Sequence, residues 1–382
     1  MKPQALGGMS VDVFLAEYWQ KKPLLIRDAL KNVQAPLDAD SLAGLACEED
    51  IESRLIIQRG EQWQLQHGPF EEAAFSGLPE SHWTLLVQAV DHWVPEAAAF
   101  LEQFNFIPRW RIDDLMMSYA SDGGGVGPHY DNYDVFLAQV SGQRKWEIGG
   151  KHNDSSKLVE GLPLKILASF EAEQSWVLNP GDILYLPPGV SHNGVAQGGD
   201  CISCSVGFRA PSHAEMLREF SEYLAQRLSE SDRYSDTDLV LQDNAGEITP
   251  IALAKIQQIF SHYLTDEQAI ADWFGRYVTE SKYEHAGASG DEISIAALGE
   301  HLAAGGRLAR NEGSRFAYIG EGSGAAMFVD GERIDISMAN QQLVELVCRE
   351  TTIGGGDFDA GDDNTALLLG LVQRGALYLV RE

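Results

Sequence analysis

The spacing of apolar residues changes character three times along the chain, and each change marks a different kind of element. Residues 10–26, SVDVFLAEYWQKKPLLI, predict a helix that stops before Pro23 and then a short strand, Leu24-Leu25-Ile26. Helical pieces are expected to recur as far as Phe106. From Trp110 to Phe208 short apolar runs alternate with Gly, Pro, Asn and Asp: Leu115–Tyr119, Val135–Val140, Lys145–Ile148, Ser175–Leu178, Ile183–Leu186 and Ile202–Phe208. Strands at such spacing, separated by turns, predict an antiparallel sandwich or barrel. Within it, Ser141-Gly142 reads as the turn of a hairpin that joins Val135–Val140 to Gln143–Ile148.

After Pro211 the period becomes helical. Met216, Leu217, Phe220, Leu224 and Leu228 form one apolar stripe, and Pro250 opens a second helix through Ile256, Ile259, Phe260 and Tyr263. A third helix, with Ile270, Trp273, Phe274, Tyr277 and Val278 on one face, is expected to begin with a capping box at Thr265-Asp-Glu-Gln268. Such broad stripes call for burial against other helices, of the same or another subunit. A Gly-rich linker, HAGASGDE, follows Glu284. Beyond it come a helix, strand-like runs at Arg315–Ile319 and Ala326–Val329, helices at Asn340–Glu350 and Asp363–Arg374, and a last strand at Leu377–Val380. Helices with a small hairpin resemble a winged helix. The expected organisation is three parts: 1–211 with a strand-rich core over about 110–210, a helical region at 212–283, and a winged-helix-like domain at 284–382.

Charge narrows the function classes. The 382 residues include 57 acidic and 28 basic side chains, a formal net charge of −29, and the excess runs through both halves of the chain. Nucleic acid and anionic lipid need a basic surface, so direct binding to either is not expected, and the winged-helix-like segment has no basic recognition helix. Four cysteines are too few for a disulfide framework and point to a reducing compartment. The first residues lack the apolar core of a signal peptide, and no stretch approaches the roughly 20 apolar residues of a membrane span. A cytoplasmic protein is the resulting expectation.

Candidate chemistry concentrates in SDGGGVGPHYDNYDVFLAQVSGQRKWEIGG, residues 121–150. His129 and Asp131 are two apart, and on an extended strand both side chains project from one face. A third ligand must come from elsewhere, and His192, in LNPGDILYLPPGVSHNGVA, is the best candidate. Two imidazoles and a carboxylate on one face of a metal leave positions open for a co-substrate and O₂, as in non-haem Fe(II) oxygenases. Arg144 would suit the far carboxylate of a dicarboxylate if it points into the apolar interior; beside Lys145 it could equally face solvent.

These segments, with FLAEYWQKKPLLI near the start, resemble the JmjC-type 2-oxoglutarate oxygenases. More narrowly, GGGVGPHYDNYDVFLAQVSGQRKW and CSVGFRAP are similar to the cupin-type ribosomal oxygenases over essentially the whole chain. The resemblance implies an α+β fold: a double-stranded β-helix of the cupin/JmjC type with N-terminal helices, a helical dimerisation region and a C-terminal winged-helix-like domain. It implies Fe(II) held by His129, Asp131 and His192, with 2-oxoglutarate and O₂ as co-substrates. Arg144 would bind the distal carboxylate of 2-oxoglutarate, and Ser118 would be a second contact. Arginine at the co-substrate position fits the bacterial branch, which implies hydroxylation of an arginine in the sixteenth protein of the large ribosomal subunit. A basic ribosomal protein would be the substrate and a homodimer the assembly. A cationic substrate calls for carboxylates at the pocket mouth, and Asp122 is the candidate, although an Asp before glycines also serves simply to form a turn.

Other signals carry less. Cys201 and Cys204 form a lone Cys-x-x-Cys in a strand-like setting. Gly123-Gly124-Gly125 lacks the helix and Lys-Ser/Thr of a phosphate loop. The acidic run 356–364 lacks the closing Glu of a calcium loop. Trp146 and Trp176 read as core. Two other functions remain open at this level: a small-molecule or demethylating oxygenase on the same fold, and a non-catalytic cupin-like scaffold.

Overall fold

The computed structural model describes residues 4–162, 164–283, 293–320, 325–359 and 361–380; the linker HAGASGDE lies outside them. The chain divides into two compact units. The first comprises Met1–Ala210 with Lys282–Ala288 and Asn311–Ser314, and the second the remaining residues from Pro211 on. No helix among the described residues is long and apolar enough to cross a membrane.

The first unit is built on a nine-stranded antiparallel sheet. Its strands are β1 (Leu24–Ile26), β2 (Ser53–Arg59), β3 (Gln62–His67), β4 (Trp83–Val87), β5 (Ile112–Ala120), β6 (Val135–Lys151), β7 (Gln174–Leu178), β8 (Ile183–Leu186) and β9 (Val190–Phe208). They run in the order β1-β8-β6-β9-β5-β4-β2-β3, with β7 paired to β6. Helical pieces do recur before Phe106, at Ala39–Leu45, Glu72–Ser76 and Pro95–Leu101, but three strands absent from the sequence reading, β2, β3 and β4, lie between them. β2 and β3 form a hairpin across Gly60-Glu61, with Gly60 at φ +63, the backbone a two-residue hairpin loop demands. Its β-branched and aromatic residues, Ile56, Ile57 and Trp63, carried the signal.

A second correction concerns β6. Ser141-Gly142 is not a hairpin turn, and Val135 to Lys151 is one strand paired with β9 along its length, through register shifts around Ser141. The first half also pairs with β8 and the second with β7. Gly142 has φ +61, and a Cβ there would lie 2.8 Å from Asp200 O and 2.9 Å from Cys201 Cα on β9. The glycine thus supplies a bulge where two backbones approach, and the chain bends without reversing.

Two apolar clusters occupy the faces of this sheet. The smaller holds Val135, Leu137, Trp146, Ile148, Leu178, Leu184, Leu186 and Val190. The larger packs the N-terminal helices against Phe136, Ala138, Cys204, Val206 and Phe208. Helix α1 (Val11–Glu17) is capped by Ser10 and ends well before Pro23. It inserts Phe14 among Phe106, Phe136 and Tyr185, with ring centroids 5.0–5.7 Å apart. Below this aromatic cluster lies Asp134, fully buried, which accepts hydrogen bonds from Tyr185 Oη (2.6 Å) and Gln20 Nε2 (2.9 Å), with Arg111 Nη2 at 3.6 Å. Burial raises its carboxyl above the usual carboxylate range, against the opposing pull of those donors.

In the second unit, helices α2 (His213–Ala225), α3 (Pro250–Leu264) and α4 (Glu267–Thr279) come first. The capping box lies at Ser212 and Glu215 of α2, not at Thr265 as expected. Asp266 caps α4 instead, accepting from Gln268 N and Ala269 N, while the Thr265 hydroxyl turns back to Ser261 O. Asp outcompetes Thr because its carboxylate also meets the positive end of the helix. Asp272 of α4 gathers Tyr223, Arg227, Arg276 and Arg333 around one carboxylate. Further on, Ile295–Ala303, Gln341–Arg349 and Asp362–Gln373 are helices, the last two where the sequence placed helices at Asn340–Glu350 and Asp363–Arg374. Two three-stranded sheets accompany them, and both contain strands absent from the sequence reading: Arg307–Arg310 with Thr352–Gly354 and Leu377–Leu379, and a meander of Phe316–Ile319, Ala326–Val329 and Glu332–Asp335. Helices and sheets share one core around Leu298, Met327, Leu343 and Leu368.

Asp134→Ala is expected to destabilise the protein by roughly 3 kcal/mol, because it strands the buried Tyr185 hydroxyl and Gln20 amide beside an unneutralised Arg111. Urea unfolding measures this.

Candidate metal centre

β9 supplies the floor of the site. Val190 and His192 point to the interior of the smaller cluster, and His129 forms an isolated bridge to His192, with His129 N on His192 O at 3.0 Å and His192 N on His129 O at 2.8 Å. Asp131 is not on a strand, contrary to the expectation that it shares one with His129. It lies in the irregular segment beyond that bridge, where its carbonyl accepts from Gly189 N at 2.7 Å. The two backbone anchors bring the side chains together all the same. One ligand atom each from His129, Asp131 and His192 lies within 4.8 Å of the others, the grouping that could hold a metal ion among the described residues.

The chemistry of the donors fits a divalent cation. His129 Nδ1 is 2.9 Å from Gly127 O and His192 Nδ1 is 3.0 Å from Val190 O. A carbonyl only accepts, so each Nδ1 carries the proton and each Nε2 presents a lone pair. His192 Nε2 is 3.6 Å from Asp131 Oδ2, and the two imidazole centroids are 4.2 Å apart. Full burial, and then the neighbouring His129, push the His192 pKa down to about 4, with Asp131 opposing. The ring is therefore neutral and able to ligate throughout the physiological range.

The wall beside the cluster comes from β6. Arg144, Trp146 and Ile148 stand opposite Ala196, Gly194 and His192 in the β6–β9 register. A Cβ on Gly194 would lie 2.6 Å from the Trp146 ring, so the glycine makes room for the indole. Trp146 in turn faces His192 (ring centroids 5.8 Å) and Arg144 (guanidinium carbon 5.8 Å from the ring). Arg144 points inward with 4% exposure, and its Nε and Nη2 have no hydrogen-bond partner. A buried guanidinium with two unsatisfied donors fits a carboxylate ligand and no apolar one. Sequence reasoning treated Trp146 as core; its place between Arg144 and His192 is a feature that only the register reveals.

Ser118 is 2% exposed on β5 and stands opposite Ser203 of β9, which in turn stands opposite Gln139 of β6. Asp122 is exposed, and its Oδ1 accepts from Gly198 N at 2.8 Å, so it does tie the turn to β9; its other oxygen has no hydrogen bond among the described residues. The glycines after it allow close approach: a Cβ on Gly124 would lie 2.2 Å from Trp83 O, and one on Gly125 2.5 Å from Gly194 O. Cys201 and Cys204 are free and buried.

A double-stranded β-helix with a His-x-Asp and a distal His gathered at one site defines the JmjC class. Residues 99–216 match the JmjC domain family and residues 258–378 the ROXA-like winged helix. The chain is 36% identical over 376 residues to the ribosomal protein uL16 3-hydroxylase of Escherichia coli K12, covering 95% of each protein. It is 39% identical over 213 residues to a probable ribosomal oxygenase of Haemophilus influenzae, covering 55% of this chain and 52% of that one. An X-ray structure of E. coli YcfD matches with a TM-score of 0.90 at 34% identity, covering 98% of this chain and 99% of that chain. A structure of YcfD, described as a ribosomal oxygenase in complex with cobalt and 2-oxoglutarate, matches over the same shares with a TM-score of 0.87 and 34% identity. The chain belongs to the JmjC ribosomal oxygenases, with a winged helix at its C-terminal end.

The depressed pKa of His192 has a signed consequence for the metal-free protein. As pH falls from the ordinary histidine value near 6.5 towards 4, the unfolded chain takes up a proton that the native ring refuses, so stability is lost across that window. His192→Gln is expected to flatten this part of the stability profile. Denaturant midpoints at pH 7, 5.5 and 4.5 measure it.

Proposed function

We propose that the protein is a 2-oxoglutarate- and Fe(II)-dependent hydroxylase of a ribosomal protein, with His129, Asp131 and His192 as the metal ligands. The observation that carries the reading is the buried, unpartnered Arg144 guanidinium on the same interior wall as the three-residue cluster. Bound iron with O₂ would couple oxidative decarboxylation of 2-oxoglutarate, to succinate and CO₂, to insertion of one oxygen atom into a substrate C–H bond. The remaining work falls to the chain. His129, Asp131 and His192 would hold the metal, and a three-ligand set would leave coordination positions for co-substrate and O₂. Arg144 anchors the distal carboxylate through charge-assisted hydrogen bonds, and Ser118 provides a second contact. Trp146, Ile148 and the surrounding aliphatic side chains keep bulk water from the reacting atoms.

For the substrate, the name of the E. coli relative supports the ribosomal protein uL16. The residue hydroxylated is proposed to be an arginine, met at the pocket mouth by the open oxygen of Asp122. The net charge of −29 favours long-range attraction of a basic ribosomal protein, and modification before that protein is wrapped in RNA. Residues 212–283 are proposed as the dimerisation region. α3 has no buried residue among those described, and it exposes Ile251, Leu253, Ile256, Ile259 and Phe260. Such a stripe on a helix calls for a partner, here a second copy.

Incubation with recombinant uL16, iron, 2-oxoglutarate and O₂ should yield a +16 Da product on an arginine, faster on free protein than on intact ribosomes. Hydroxylation of free metabolites alone would contradict the reading. Asp131→Ala should abolish both the visible charge-transfer band of the anaerobic iron–2-oxoglutarate complex and the product. Phe260→Asp should convert a dimer to a monomer by light scattering.

A further inference from the structure

Side chains on a strand alternate between faces with period two. Val135 and Leu137 of β6 lie in the interior cluster, so an unbroken strand would send Ser141, Gln143 and Lys145 inward and Arg144 outward. The opposite holds: Trp146 and Ile148 share that cluster with Val135 and Leu137, and Arg144 stands on their side. β9 changes parity as well, since Val190 belongs to the interior cluster but Cys204 and Val206 to the other. Both changes occur where the register shifts, between Gln139 and Gln143 on β6 and between Gln197 and Ile202 on β9.

At that place the ladder leaves carbonyl groups to be satisfied inside the protein, and one side chain collects them. Gln139, 1% exposed, donates from Nε2 to Ser141 O (2.6 Å) and Ile202 O (3.2 Å), with Gly142 O at 3.5 Å and Cys201 Sγ at 3.4 Å. Its Oε1 accepts from Ser203 Oγ at 2.9 Å, which fixes the direction of the amide. An NH₂ group is what two facing bulges need, because it offers donors to both strands at once without adding charge.

We propose that Gln139 is a positioning residue for the co-substrate: its carboxamide staples the bulges of β6 and β9 together and so holds Arg144 in the interior. A one-residue slip of β6 would return Arg144 to the outer face and bring Lys145 in. The inference rests on the reading of Arg144 as the anchor of the distal carboxylate, and the experiment separates the two.

Gln139→Glu keeps the shape and replaces the donor group with an acceptor facing carbonyl oxygens. With Co(II) in place of iron, the variant should bind one metal per chain as the parent does, while the dissociation constant for 2-oxoglutarate, read by calorimetry, rises more than tenfold. In the metal-free protein, phenylglyoxal should modify Arg144 several times faster than in the parent, read by peptide mass. Ser203→Ala should shift both in the same direction by less. In an Arg144→Ala background, Gln139→Glu should change the 2-oxoglutarate affinity by less than twofold, an outcome that general loosening of the fold would not give. Should Gln139→Glu fail to fold, Gly142→Ala perturbs the same bulge and must give the same pair of readouts. Parental affinity and parental protection of Arg144 in either folded variant would overturn the inference, as would an undiminished effect in the Arg144→Ala background. Unaltered 2-oxoglutarate binding by Arg144→Ala alone would instead overturn the reading beneath it.

Discussion

The pairing of β6 with β9 is the constraint on which the rest of the site depends. It is long enough to run from the cluster of His129, Asp131 and His192 to the buried Arg144, and each end has its own register. At one end Ile148 stands opposite His192, and the bridge from His192 to His129 draws in the Gly-Pro-His segment. Four residues away Arg144 stands opposite Ala196. A strand rises about 3.3 Å per residue, so the frame separates the two backbone positions by about 13 Å and leaves the side chains to close the distance over the Trp146 face. The spacing between the three-residue cluster and Arg144 is thus a property of a rigid ladder and not of loops, which is what the proposed site, excluding water and holding two reactants in register, requires.

The electrostatics follow from the same burial. Desolvation keeps His192 neutral, so a cation meets lone pairs and one carboxylate with no proton to displace from that ring. Desolvation also makes the unpartnered Arg144 costly, a cost that the proposed dicarboxylate ligand would remove. Over the whole chain the sign is reversed, with 57 acidic side chains against 28 basic ones, a field that suits the basic protein substrate proposed.

Much of this was legible in the sequence, for physical reasons that differ by element. The strands from Leu115 to Phe208 show as short apolar runs between turn residues, and the helices at Pro250 and Ile270 as a 3.6 period, both of which a single sequence displays directly. His129, Asp131, His192 and Arg144 stood out as chemistry-bearing residues among glycines and prolines. What was not legible depends on partners distant in sequence. Ser141-Gly142 has the composition of a turn, and only the approach of Asp200 and Cys201 makes it a bulge. Strands β2 to β4 went unread among the helical pieces, because their place in the sheet depends on pairing with β5, distant in sequence. Gln139 carried no signal, since a buried glutamine in an apolar run looks like any other until its four acceptors are in place. The capping of α4 turned on a competition between adjacent Thr265 and Asp266 that composition alone does not decide.

One interior wall is proposed to hold both the metal and the diacid. A crystal structure of the protein loaded with Co(II) and 2-oxoglutarate tests it most directly. The expected result is a metal on His129, Asp131 and His192, with the distal carboxylate of 2-oxoglutarate on Arg144 beside Trp146. A metal held by other side chains, or a diacid bound away from Arg144, would contradict it.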